Sequence, residues 1–140
     1  MNVAQKRPEF RNIHALSDLP SYRLPAAGWV SILHRISGVV MFLLMPFIIW
    51  MFDASVSSEI SFAKFRFAFN NGGMGILLKL VALGLIWAYL HHLIAGLRHL
   101  WMDTHHSAVS KTFVAKSAVF TLASSLVLTA ILGAKLFGAW

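Results

Sequence analysis

Apolar residues gather in three long blocks along this chain instead of recurring as one stripe on otherwise polar helices. Ile36 to Phe52, Leu80 to Leu97 and Ser117 to Ala134 contain no charged residue. Each block approaches the roughly 20 residues that a helix rising about 1.5 Å per residue needs to cross a hydrocarbon core. Uncharged flanks lengthen all three, the first back to Ala26 if Arg35 is accommodated and the second back to Gly73 if Lys79 snorkels. The pattern predicts an all-α integral membrane protein with three transmembrane helices, over about 26–52, 73–101 and 113–138. A soluble three-helix core would show a broad polar face on each helix, and none of the three does.

The polar stretches organise the remainder. Residues 1–25, MNVAQKRPEFRNIHALSDLPSYRLP, are proline-punctuated and lack the apolar region of a signal peptide. Phe10, Ile13, Leu16, Leu19 and Tyr22 within them suit docking on a partner at the membrane surface. The chain thus divides into an N-terminal segment, 1–25, and a transmembrane domain, 26–140. Asp53 to Gly72, closing on Asn70, Asn71, Gly72 and Gly73, reads as a connection between the first two helices.

Composition agrees with a lipid environment: 58% of the 140 residues are hydrophobic, and the mean hydropathy is +0.70. Lys6, Arg7, Arg11, Arg23 and Arg35 lie on the N-terminal side, and Arg98, Lys111 and Lys116 flank the connection between helices two and three. Lys64, Arg66, Lys79 and Lys135 fall on the opposite side. The positive-inside rule therefore expects a cytoplasmic N-terminus, with Trp140 outside. The net charge of +7 is explained as a basic interfacial rim, without nucleic acid. The absence of cysteine excludes disulfides, thiolate ligands and thiol redox chemistry by this chain. No Arg- and Ser-rich amphipathic presequence is visible, which favours a bacterial inner membrane over a mitochondrial one.

Five of the seven histidines fall within HHLIAGLRHLWMDTHH, from His91 to His106. At about 100° per residue, His92, Gly96 and His99 share a stripe, and His91 points about a quarter-turn away. A glycine one turn from a histidine removes the side chain that would keep a flat ligand off the helix, so His92 with Gly96 suits a porphyrin. His92 lies about 10 Å deeper than His99, as an iron lies deeper than haem propionates. The same spacing also suits a histidine that only hydrogen-bonds between helices. His105 and His106, beside Thr104 and Ser107, are read as solvated interfacial residues.

The first helix carries a second constellation, GWVSILHRISG from Gly28 to Gly38. Ser31, His34, Arg35 and Gly38 recur at steps of three and four and share a face. An arginine about two turns inside the membrane is costly without a partner, so Arg35 is a candidate functional residue unless it snorkels to the headgroups. Antiparallel packing of helices one and two would bring Ser31, His34 and Arg35 near Arg98 and His99. Such a pocket suits a quinone head, with Ser31 donating to a carbonyl oxygen and Arg35 stabilising developing negative charge. Arg35 and His34 would equally suit haem propionates. If Arg35 and Arg98 are level, His34 lies near His99 and well above His92, which leaves a second axial imidazole to come from another chain.

The motifs SILHR followed by SG (Ser31 to Gly38) and H, three residues, GLRH followed by MD (His92 to Asp103) resemble the cytochrome b subunit family of succinate dehydrogenase, the membrane anchor of respiratory complex II. Nearly the whole chain takes part, including Arg7–Pro8 and Pro25 ahead of the first helix. The resemblance implies that His92 is an axial ligand of haem b. It implies that Ser31 and Arg35 bind ubiquinone, with Arg35 also near a propionate, and that His34 and His99 lie at the haem edge. His91, doubled before the motif histidine, departs from the family pattern. No catalytic residue is implied in this chain. The implied partners are a second small membrane subunit supplying the other axial histidine, an iron–sulfur subunit, a flavoprotein and lipid. Two other readings remain open: a haem-free quinone-binding anchor, and the anchor of a fumarate reductase.

Overall fold

The computed structural model describes Asp18 and residues 22–105 and 109–139. Most of the N-terminal docking segment, and His106, lie outside the described residues. From residue 22 onward, the described residues form five helices in order: α1 (Ala26–Leu43), α2 (Met45–Val56), α3 (Glu59–Asn70), α4 (Gly72–Thr104) and α5 (Lys111–Leu136). Three of them, α1, α4 and α5, are long and apolar enough to cross a membrane.

The first apolar block is interrupted at Leu44, where φ −91° and ψ 8° leave the helical region. Pro46 is the cause. It has no N–H to offer the Phe42 carbonyl, and its ring crowds that oxygen. The chain recovers at once, with Leu44 N donating to the Val40 carbonyl at 3.0 Å and Ile48 N to the Leu44 carbonyl at 3.0 Å. Beyond it, the stretch read as a connection contains a further helix, α3. Ser58 and Ser61 start it by a reciprocal capping box: Ser61 N donates to Ser58 Oγ at 3.1 Å and Ser58 N to Ser61 Oγ at 3.0 Å. Phe65 of α3 faces Trp50 of α2 and Phe69, with centroids 6.3 and 4.7 Å away. This aromatic seam, alternating with Lys64 and Arg66, hid the helix behind its polar residues.

The turn into α4 falls at the Asn–Gly cluster, as its composition suggests, with Gly72 at φ +59°. At 33 residues α4 is about 50 Å long, well beyond the thickness of a hydrocarbon core. Lys79 near its start places its ammonium 5.8 Å from the centre of the Phe137 ring, at the far end of α5. Ser110 caps α5 by accepting from Phe113 N at 3.3 Å.

Helix α4 packs antiparallel to both α1 and α5, and α1 also touches α5. Val30, Ala95 and Ala118, one from each long helix and all fully buried, form the centre. Small residues let the backbones approach closely, which matters in lipid because apolar side chains gain little by leaving apolar surroundings. Large apolar side chains such as Phe42, Leu43, Phe120 and Leu126 point outward instead.

A Cβ on Gly75 would stand 2.8 Å from the Phe69 carbonyl oxygen, whereas one on Gly73 would meet nothing within 4 Å. Gly75→Ala should therefore destabilise the fold by about 1–3 kcal/mol, by overpacking against rigid backbone. Gly73→Ala should be neutral or slightly stabilising. Thermal unfolding of the detergent-solubilised assembly distinguishes the two.

Candidate functional site

Among the described residues, three cross-helix polar contacts radiate from α4. Two reach α5. His91 Nδ1 lies 3.2 Å from Ser125 Oγ, and Arg98 Nε donates to Ser117 Oγ at 3.0 Å while Nη2 donates to the Val114 carbonyl at 3.2 Å. The third reaches α1, where His92 Nδ1 lies 3.0 Å from the His34 carbonyl oxygen and 3.2 Å from Ser37 Oγ.

That third contact decides the state of His92. The His34 carbonyl can only accept, so Nδ1 carries the proton. Ser37 Oγ donates to the same carbonyl at 2.8 Å, leaving its lone pairs toward the imidazole. The ring is therefore held as the Nδ1–H tautomer, and Nε2 keeps a free lone pair. Among the described residues Nε2 makes no hydrogen bond and is not sealed from the surface. A backbone carbonyl on one ring nitrogen with the other left bare is the usual preparation of a metal-ligating histidine. His92 thus fits one axial position of a haem iron. Among the described residues, no three His, Asp or Glu side chains converge to hold a bare metal ion.

His91, one residue earlier, is occupied elsewhere. It is fully buried, stacks on Trp87 with centroids 5.6 Å apart and 21° between planes, and turns toward α5. Its Nε2 has no partner at hydrogen-bond geometry, although the Val30 carbonyl stands near. A ligand reaching that nitrogen would have to part the three helices.

His34 lies near His99 as expected, but it is not well above His92. Its ring stacks on His92 with centroids 4.1 Å apart and planes 15° from parallel, and it lies 5.3 Å from His99 at a tilt of 56°. The assumption that Arg35 and Arg98 are level fails because α1 and α4 register on glycine. His34 Nε2 lies 3.4 Å from where a Gly96 Cβ would be, and His92 Cε1 lies 3.0 Å from where a Gly38 Cβ would be. The open space expected at Gly96 is therefore filled by the His34 ring. Gly38, on the neighbouring helix, is what admits His92.

Arg98 also leaves the expected pocket, since its bonds to α5 turn it away from His34 and Arg35. Ser31 is half-buried and Arg35 exposed, one turn apart on α1, and neither makes a hydrogen bond or ion pair among the described residues. His34, His92 and His99 are thus gathered together, and Ser31 and Arg35 flank them with unused polar groups. His105 stacks on Trp101 at 3.9 Å and lies 2.8 Å from Thr104 Oγ1. In the sequence Ser37 stands out only as the serine of the SG motif, without a role, and Ser125 has no direct signal. Only their places within helical segments, where a serine can bond its own helix and still reach across, mark them.

Replacing Ser125 by alanine strips His91 Nδ1 of its partner inside a sealed core and should cost about 1–3 kcal/mol. Adjacent Ser124 bonds the Phe120 and Thr121 carbonyls of its own helix, so Ser124→Ala should stay within about 0.5 kcal/mol. Denaturant or thermal unfolding of the two variants provides the comparison.

Comparison with known proteins adds to the geometry. Residues 11–132 match the family described as succinate dehydrogenase/fumarate reductase transmembrane subunit. A succinate dehydrogenase cytochrome b556 subunit of Coxiella burnetii is 38% identical over 87 residues, which cover 61% of this chain and 66% of that protein. One from Paracoccus denitrificans is 34% identical over 113 residues, covering 81% of this chain and 83% of that protein.

Proposed function

The chain belongs to the succinate dehydrogenase/fumarate reductase transmembrane subunit family, and from that premise we propose that it is the haem-binding membrane anchor of a succinate:quinone oxidoreductase. The observation that carries the reading is the His92 imidazole, whose Nδ1 is tied to the His34 carbonyl while Nε2 stays bare. The names of both relatives, succinate dehydrogenase cytochrome b556 subunit, favour succinate oxidation over the fumarate reductase alternative.

In this reading haem b, when bound, supplies a one-electron store within the membrane. His92 would hold it through Nε2, with the Nδ1 hydrogen bond fixing the ring's orientation. A second small membrane subunit would supply the other imidazole that holds the haem. Rings stacked face to face at 4.1 Å leave no room for a macrocycle between them, so His34 does not oppose His92 across an iron. His34 would instead back the ligand ring, and His34 and His99, 5.3 Å apart, would lie at the haem edge.

Ser31 and Arg35 serve ubiquinone. Reduction to quinol takes two electrons and two protons, and negative charge gathers on the quinone oxygens before the protons arrive. Arg35, exposed and without an ion partner among the described residues, is available to stabilise that charge. Ser31 donates to a carbonyl oxygen. Electrons arrive from an iron–sulfur subunit, which receives them from a flavoprotein that oxidises succinate. Both sit on the cytoplasmic face, where the basic rim and the N-terminal segment also lie, in a bacterial inner membrane.

His92→Leu should remove or convert the haem while His91→Leu largely spares it, because His91 faces α5. Absorption spectra of the dithionite-reduced complex report this, and equal spectra for wild type and His92→Leu would reject the assignment. Arg35→Leu should depress succinate-to-quinone reduction by about two orders of magnitude, the usual cost of losing one such electrostatic contact. Ser31→Ala should depress it less. Succinate oxidation by an artificial dye, which takes electrons upstream of the quinone, should persist in both assembled variants.

A further inference from the structure

Arg98 is left over from the quinone and haem chemistry, and its surroundings are unusual. It is only 9% exposed and forms no ion pair among the described residues. A guanidinium has five N–H donors. Ser117 Oγ and the Val114 carbonyl take two of them, and Nη1 has no partner among the described residues yet is not sealed in. A buried cation held only by neutral acceptors calls for a counter-charge, most of all within a membrane span.

Beside it lies a groove of about 320 Å³ between α4 and α5. Ile94, Leu97, Trp101, Phe113 and Phe120 form apolar walls, and Arg98 with Ser117 lies on its lining. Ile94 to Trp101 extends about 10 Å along α4. A second groove adjoins it across Phe113, Ser117 and Phe120, and brings in Lys116 and the capped N-terminus of α5 at Ser110. The two together join a hydrocarbon-lined channel to two cations and the positive end of a helix.

We propose that this groove binds one anionic phospholipid, its phosphate on Arg98 and Lys116 and an acyl chain along Leu97 and Phe120. The apolar walls select an anion that carries a tail. Position on α4 selects lipid over protein: Trp101 is nine residues from His92, or about 180° around the helix. The groove therefore faces away from the stripe assigned to the second subunit. That last step rests on the proposed function, which the haem spectra test separately.

The test uses the intact complex in detergent, titrated with phosphatidylglycerol, phosphatidylcholine or inorganic phosphate, with bound lipid counted by native mass spectrometry. Wild type should retain one phosphatidylglycerol at a concentration about tenfold below that needed for phosphatidylcholine, a modest selectivity for one charge-assisted contact. Arg98→Gln should lose that preference. Phe120→Trp, which fills the groove without touching the cation, should lose the bound lipid altogether. Both are compared at wild-type haem absorbance, and if Arg98→Gln does not assemble, Phe120→Trp and Leu97→Trp decide. Equal retention of the two lipids by wild type, or undiminished lipid in the groove-filling variants, would overturn the proposal. So would displacement by inorganic phosphate, which would identify a free anion, or a photo-crosslink from position 113 to another subunit, which would identify a protein occupant.

Discussion

Hydrocarbon offers no hydrogen bonds, so polar groups placed inside the bundle are stabilised by partners in the protein. This constraint orders the molecule around α4. His91, His92 and Arg98 all sit on that one helix, and each is directed by the oxygen it reaches: Ser125, the His34 carbonyl, and Ser117 with the Val114 carbonyl. Consecutive histidines therefore serve different helices. The first binds α5 and closes the core, and the second turns its free nitrogen outward. Neither role is intrinsic to imidazole, since both follow from which neighbour supplies the acceptor.

The spans were legible because their physical basis is simple. A helix needs roughly 20 mostly apolar residues to cross the bilayer, and α1, α4 and α5 are long and apolar enough to do so. The antiparallel pairing of α1 with α4 was legible for a similar reason, given the topology. The break at Leu44 was hidden because its cause, Pro46, lies within an unbroken apolar run, and α3 was hidden because its aromatic face alternates with charge. Among the site residues, His92 could be singled out by its stripe with Gly96. The depth of His34 could not, because axial register depends on which small residues meet, and two glycines offered themselves.

Arg98 shows the same limit from the other side. Read by depth along the helix alone, it stands beside His99 at the aqueous edge. In the fold its reach is decided by Ser117, nineteen positions along the chain. Electrostatic placement in a membrane is a matter of neighbouring helices, and a long flexible side chain magnifies small rotations into a change of partner.

The two glycines have a mechanical consequence. His92 rests where Gly38 has no side chain, and His34 rests where Gly96 has none, so each helix carries both a tooth and the notch for the other's tooth. A notched pair of this kind tolerates tilting and separation but resists sliding, because translation by even a residue or two drives both rings against Cβ atoms at once. Motion transmitted along the bundle is thereby restricted to rocking. The vertical position of the imidazole that faces outward is locked by its mate and not by the lipid around it.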